Sequence, residues 1–296
     1  MPFGVSGYPN VVVLKGKVYI GGGITVSNLE QHIVVIYDPE QDSCDTLPPY
    51  AYKYFSLAIV NDQLILVGGW EMEDNKPTNK LGMWNGQLRR WTHPLPPMTT
   101  ACSSPSVATH NNRWLVVMGG NGDKALLSRV EILNTTDPIQ WYQAVSLPQP
   151  CRQAPCVTTG NMCYLLCGYT EGGAATKRAF SACLDVLVSQ AIYTSTGFPP
   201  THVQSLWQFL PDSPRTQSTA LAFQGALLVI GGGSLSFLER PTIYIYQPSR
   251  DRWVEAGELP TKRWACGCTV LPSGEVLVAG GDYGETRQMI EIASIL

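Results

Sequence analysis

The strongest constraint on this 296-residue chain is a short motif that recurs along its length. An apolar run that ends in two glycines occurs five times, and a degenerate sixth copy ends in Cys-Gly. The first residues of these closing pairs are Gly21, Gly68, Gly119, Cys167, Gly231 and Gly280. Their spacings of 47, 51, 48, 64 and 49 residues match a repeat of about 50 residues with one insertion. Six such units predict a repeat architecture.

A tryptophan follows the glycine pair at a nearly constant distance. Trp91, Trp141 and Trp253 lie 23, 22 and 22 residues after the first glycine of their repeats. The first repeat has Cys44 at this position, and in the fourth repeat Trp207 comes 40 residues after Cys167. The fourth repeat therefore carries about 17 extra residues, which are expected to form an irregular connection around 183–205.

Each repeat is predicted to contain four short strands separated by Gly, Pro, Asn and Asp. The runs around the glycines are apolar on consecutive residues, which is typical of strands buried on both faces. No segment is predicted to be helical. The chain has 20 residues before Gly21 and 16 after Gly280. The sixth repeat is therefore expected to have fewer than four regular strands, with its tryptophan strand upstream of Met1 in a longer chain or absent.

The order of apolar run, Gly-Gly, Tyr-Asp-Pro, Trp and Leu-Pro resembles that of kelch repeats. Residues 36–39 show the tyrosine element, and residues 259–260 show the Leu-Pro element. The resemblance covers essentially the whole chain and implies one all-β domain over residues 1–296. It further implies a six-bladed β-propeller with an incomplete sixth blade, blades around a central channel, and tryptophans packed between blades.

Composition narrows the functional classes. Hydrophobic residues make up 44% of the chain and charged residues 15%, which is typical of a folded protein. The net charge of −3 and the lack of a Lys/Arg block give no reason to expect nucleic acid or a membrane as partner. The N-terminus lacks the pattern of a signal peptide, so a cytoplasmic location is expected.

The candidate chemistry is weak. The four histidines, at positions 32, 93, 110 and 202, fall at unrelated repeat positions, and none has a ligand partner at metal-binding spacing. The glycine runs follow strands without opening a helix, which disfavours phosphate binding. No Gly-x-Ser-x-Gly motif occurs. The sequence predicts no catalytic residue, no metal and no cofactor.

A basic pattern is more informative. The basic residues that precede the glycine landmarks by 15, 15, 16 and 17 residues are Lys53, Arg152, Arg215 and Arg263. They are predicted to share one repeat position and one face of the propeller. Their aromatic neighbours are Tyr52, Tyr54 and Trp264. Arginine with Tyr and Trp is typical of interaction hot spots, and guanidinium groups pair with carboxylates. The seven residues predict a binding site for a protein or acidic peptide segment; alternatively, the basic residues cap loops or bridge blades.

The resemblance favours a non-catalytic protein-protein interaction platform that presents propeller loops to its partner, as the recognition module of a larger adaptor. The alternative is a propeller enzyme that acts on a sugar or small metabolite at the mouth of the channel. Converging carboxylates and histidines at that mouth would favour the enzyme.

Overall fold

The structure is a computed structural model that describes residues 1, 4–25, 32–166, 168–197, 206–233, 240–281 and 289–293. These residues form five antiparallel sheets of four strands and a sixth of three strands. Within each sheet the strands follow one another in sequence order, so each sheet is a meander. We number these sheets as blades 1 to 6.

The blades have the following strands, innermost first. Blade 1 consists of Asn10–Leu14, Lys17–Gly21, Val35–Asp38 and Ser43–Thr46, and blade 2 of Ser56–Val60, Gln63–Val67, Leu81–Asn85 and Arg90–Thr92. Blade 3 consists of Ser106–His110, Trp114–Met118, Val130–Asn134 and Trp141–Ala144, and blade 4 of Cys156–Thr159, Met162–Leu166, Ala179–Cys183 and Gln208–Leu210. Blade 5 consists of Thr219–Phe223, Ala226–Ile230, Thr242–Gln247 and Arg252–Glu258, and blade 6 of Gly267–Val270, Val276–Ala279 and Ile290–Ala293.

Smaller elements lie between the blades. Val5–Ser6 pairs with Ile24–Thr25, and Trp70–Glu71 pairs with both Tyr52–Lys53 and Lys76–Pro77. Short 3₁₀ turns span Glu171–Gly173 and Pro248–Arg250, and an α-helix spans Leu184–Ser195.

The six blades form a closed ring. The innermost strand of each blade lies against the innermost strand of the next, and the innermost strand of blade 6 lies against that of blade 1. The core is divided into layers of apolar side chains between neighbouring blades. The second strand of blade 2 shows the consequence, since Leu64, Ile65, Leu66 and Val67 are all buried. Burial on both faces explains the consecutive apolar residues, and the predicted six-bladed propeller is confirmed.

The glycine pairs allow the chain to turn tightly beneath the segments that link the blades. Gly68 and Gly69 have φ values of 62° and 127°, which favour glycine. A Cβ on Gly68 would lie 2.4 Å from the carbonyl oxygen of Cys102, in the segment that leads into blade 3. The repeated Gly-Gly motif is therefore required by backbone conformation and by the close approach of the next linker.

Each described landmark tryptophan joins its blade to the one before. The indole N–H of Trp91 donates to the Pro48 carbonyl at 2.8 Å, and that of Trp253 donates to the Pro211 carbonyl at 3.1 Å. Trp141 and Trp207 make the corresponding bonds to the carbonyls of residues 96 and 145. Trp207 is therefore the tryptophan of the fourth repeat despite its displaced position.

The insertion in the fourth repeat differs from the expectation of an irregular connection. The helix Leu184–Ser195 buries Leu184, Leu187, Val188 and Ala191 against the outer strand of blade 3 and the third strand of blade 4. These positions follow the i, i+3, i+4, i+7 spacing of an amphipathic helix, and no Gly or Pro interrupts them. The prediction was wrong for these residues because this period was overlooked; residues 198–205 lie outside the described part. None of the described helices is long and apolar enough to cross a membrane.

Candidate partner-binding face

The meander topology places two sets of connections at the same end of the ring. The linkers that lead into each innermost strand and the loops that follow each glycine pair both emerge there. The hairpins between first and second strands emerge at the opposite end. We call the first end the linker face, and all seven residues predicted from the sequence belong to its linkers.

One residue in each linker has a left-handed backbone conformation. These residues are Tyr8, Tyr54, Ser104, Gln153, Gln217 and Ala265, with φ between 49° and 65°. Backbone hydrogen bonds run between successive members, including Ser104 N–H to the Tyr54 carbonyl at 2.7 Å and Ala265 N–H to the Gln217 carbonyl at 2.7 Å. We call this set the rim. A left-handed conformation is costly for residues other than glycine, so the shared geometry shows that tertiary contacts define the rim.

Beneath the rim lies a cavity of about 180 Å³ in the channel. Its described lining consists of backbone, apolar side chains and uncharged polar groups, and contains no Asp, Glu, His, Lys or Arg. The hydroxyls of Ser56 and Ser106 donate to the carbonyls of Pro105 and Ala154 at 2.6 Å. Each of these bonds joins one blade to the next linker, so the two hydroxyls stabilise the ring.

The strand register separates the four predicted basic residues into two positions. Lys53 pairs with Trp70, Arg152 with Tyr169 and Thr216 with Gly233, and each partner lies two residues after the first member of its closing pair. Arg215 therefore lies one position earlier than Lys53 and Arg152.

Arg263 occupies the same earlier position as Arg215. Its carbonyl accepts the N–H of Gly232 just as the carbonyl of Cys151 accepts that of Gly120, and Cys151 directly precedes Arg152. The prediction that all four basic residues share one repeat position was wrong, because the linkers differ in length by one or two residues. Neighbouring residues of an extended chain point in opposite directions, so the two positions face different surroundings.

Arg263 is a structural bridge. It is only 2% exposed, and its guanidinium donates to the Gly280 carbonyl at 3.0 Å and to Glu291 Oε2 at 2.6 Å. Glu291 belongs to the third strand of blade 6, so the pair ties the linker to that strand. The hypothesis that Arg263 faces a partner is therefore corrected, and this residue follows the alternative interpretation.

Arg215 makes the corresponding contact in blade 5. Its guanidinium lies 5.7 Å from the ring centroid of Tyr244, and it donates to the Arg240 carbonyl at 3.3 Å. Tyr244 pairs with Val229 and Glu291 pairs with Val278, so the two contacts occupy equivalent places. Arg215 is half-buried and keeps part of its surface on the linker face.

Lys53 and Arg152 differ from the bridging arginines. Both are half-buried, with Lys53 Nζ 5.2 Å from the ring centroid of Tyr54 and the Arg152 guanidinium 5.7 Å from that of Tyr169. Neither forms an ion pair with a described carboxylate. Trp264 is half-buried like Tyr54, whereas Tyr52 is only 5% exposed. The accessible part of the predicted site is therefore basic at blades 2 and 4 and aromatic beside them.

Tyr169 is a central residue that the sequence analysis missed. Its ring contacts that of Tyr8 edge-on, with centroids 5.8 Å apart, and its hydroxyl accepts a hydrogen bond from Gln217 Nε2 at 2.8 Å. Tyr8 precedes blade 1 and Tyr169 belongs to blade 4, on the opposite side of the ring, so this contact crosses the mouth of the channel. The available signal was its place two residues after Cys167, which is the position of Trp70.

Other reactive groups of the described chain have structural environments. Burial raises the pKa of the thiols at positions 102, 151, 266 and 268 to about 12, which keeps them protonated at neutral pH. His110 is buried and its Nε2 lies 2.6 Å from Asp185 Oδ1 on the helix Leu184–Ser195. This contact lies at the hairpin end, away from the linker face. Among the described residues, no three His, Cys, Asp or Glu side chains form a group that could hold a metal.

Comparison with known proteins adds two similarities. No family model matches the chain. It is 22% identical over 289 residues to the mouse (Mus musculus) protein Kelch-like protein 35, an alignment that covers 92% of this chain and 43% of the relative. The chain thus spans less than half of that relative's length.

The second similarity concerns the fold alone. The solved structure of YjhT superposes with a TM-score of 0.73 at 14% sequence identity, with 99% of each chain covered. The blades, the glycine turns, the tryptophan bonds and the curated relative agree, and on this evidence the chain belongs to the kelch-repeat β-propellers.

Proposed function

We propose that the linker face of this propeller binds a protein partner through an acidic peptide segment, without catalysing a reaction. The observation that carries the proposal is the state of its cations. Arg240 is paired with Glu258 at 2.9 Å and Arg263 with Glu291, whereas Lys53 and Arg152 have aromatic rings but no described carboxylate beside them.

The chemistry of these groups favours a carboxylate. A guanidinium presents parallel N–H donors that match the two oxygens of Asp or Glu. The Tyr169 ring holds the Arg152 guanidinium in place, which lowers the entropy that Arg152 loses on binding. Tyr8 and Tyr54 add exposed aromatic surface on the rim. Arginine and tyrosine around a well-packed centre are the composition of binding hot spots.

The comparisons support this proposal at the level of the family. By resemblance, kelch modules serve adaptor proteins that recognise other proteins, and the curated relative carries the kelch name. The chain covers 43% of that relative, so a role as the recognition module of a larger protein belongs to the proposal. The uncharged lining of the described cavity offers an enzyme alternative no described acid-base pair.

The test uses Arg152→Ala, with Arg252→Ala as a matched control. Arg252 is an exposed arginine at the hairpin end of blade 5. Peptides are selected from a displayed random library on the intact chain, and one enriched peptide is labelled for fluorescence anisotropy. We expect enrichment of Asp and Glu, and about tenfold weaker binding by Arg152→Ala. Equal binding by both variants, or selections without acidic residues, would overturn the proposal.

A further inference from the structure

We propose that the bound segment continues from the rim into a groove between blades 3 and 4, where an acidic residue followed by a basic residue is recognised. This inference rests on the proposed function and extends its site. The groove has a volume of about 470 Å³, within the range of ligand-binding clefts. Its polar side chains belong to Asn121, Lys124, Arg152, Thr170 and Glu171.

Both walls of the groove are hairpins held against their linkers. Asn121 pairs with Ser103 and Leu126, and Tyr169 pairs in the same way with Arg152 and Ala175. Further backbone hydrogen bonds close the two hairpins, at 3.0 Å from Gly122 to Ala125 and from Thr170 to Ala174. The walls are therefore formed before a ligand arrives, so binding costs little ordering of the protein.

Arg152 connects the groove with the rim. It lines the groove, it directly precedes the rim residue Gln153, and its guanidinium lies over the Tyr169 ring that reaches across the channel mouth. A single extended segment that contacts Tyr169 and Arg152 at the rim is thus led towards the space between the two hairpins.

The charges of the groove indicate which side chains the segment carries. Lys124 is exposed and Arg152 half-buried, and neither pairs with a carboxylate among the described residues. Glu171 is exposed on the facing hairpin and has no described cation partner. An acidic side chain is attracted by the two cations, and a following basic side chain is attracted by Glu171. A ligand with only negative charge is repelled by Glu171.

The wall around Glu171 leaves room for a main chain. A Cβ on Gly172 or Gly173 would meet no atom within 4 Å, so the backbone of this turn is open to the groove. Side chains added there would fill the space and shield the turn. The geometry therefore suits an extended peptide, which needs backbone access along its length.

The experiment exchanges the two wall charges. A library of random peptides is selected on the intact wild-type chain and on the double variant Lys124→Glu with Glu171→Lys. An enriched wild-type peptide and its charge-exchanged counterpart are then labelled and titrated by fluorescence anisotropy. We expect wild-type selections to carry an acidic residue followed by a basic one, and the double variant to select the reverse order. Lys124→Ala should bind the wild-type peptide about threefold more weakly, as for exposed ion pairs.

The controls separate this inference from the proposed function. Arg252→Glu changes the charge at the hairpin end and should leave binding of both peptides unchanged. If Arg152→Ala weakens binding while Lys124→Ala and the double variant bind the wild-type peptide like the unaltered chain, the groove inference is overturned and the proposed function stands. If Arg152→Ala also binds unchanged, both are overturned. Both wall residues are exposed, and thermal melting confirms that each variant is folded.

Discussion

Replacing Arg263 by alanine tests whether the earlier linker position is structural. The guanidinium is completely buried, whereas the Glu291 side chain keeps 11% of its surface exposed. Arg263→Ala removes the 2.6 Å contact to Glu291 and the 3.0 Å bond to the Gly280 carbonyl, and it leaves a nearly buried carboxylate unpaired. Removing one partner of a buried pair costs about 3–5 kcal/mol. For a domain of this size we expect the melting temperature to fall on the order of 10 °C.

Two further variants distinguish the buried pair from a general effect of losing an arginine. Arg215→Ala loses a half-buried cation–π contact, for which about 1 kcal/mol is expected. The double variant Arg263→Met with Glu291→Leu replaces the pair by apolar groups and should recover most of the lost stability.

The measurement is differential scanning calorimetry of the intact chain, accompanied by titration of the peptide used for Arg152→Ala. We expect Arg263→Ala at low temperature to keep peptide affinity while losing stability. A melting temperature within one degree of the wild type, together with weakened peptide binding, would refute the structural role and return Arg263 to the partner surface.

Two other perturbations probe the ring and its hairpins. A Cβ on Gly267 would lie 2.4 Å from Val11 Cγ2, so Gly267→Ala should destabilise the contact between blades 6 and 1 by about 1–3 kcal/mol; Gly257→Ala, which meets nothing within 4 Å, is its control in urea unfolding. Burial and the 2.6 Å hydrogen bond to Asp251 raise the pKa of Tyr246 to about 12. Because the unfolded tyrosine ionises near 10, stability should fall as pH rises from about 10 to 12, and Tyr246→Phe should flatten that fall; an equal slope in both proteins would contradict this assignment.

Much of the fold was predictable because its signals are local. The period of about 50 residues identifies six blades, and consecutive apolar residues before Gly68 indicate a strand buried on both faces. The interval from glycine to tryptophan located Trp91 and Trp253, whose indoles join neighbouring blades. The helix Leu184–Ser195 also has a local signal in the spacing of its buried residues, and its omission was an error of interpretation.

The binding site was only partly predictable. The sequence identified Lys53 and Arg152 as basic residues beside aromatic ones, and the structure places both on the linker face. It also grouped them with Arg215 and Arg263, because residue counts from a distant glycine cannot register linkers of unequal length. A slip of one residue exchanges the side of an extended chain, which separates an accessible cation from a buried one.

The sequence by itself thus determined the number of blades, their strands and the end of the propeller where the candidate residues lie, because each depends on neighbours in the chain. Tertiary structure alone decided that Tyr8 meets Tyr169 across the channel mouth. It also decided that Arg263 is consumed by Glu291 and that Lys124 and Glu171 share one groove. These relationships join residues 28 to 161 positions apart, and only closure of the ring brings them within reach, since no local pattern records which side chains a closed ring will place together.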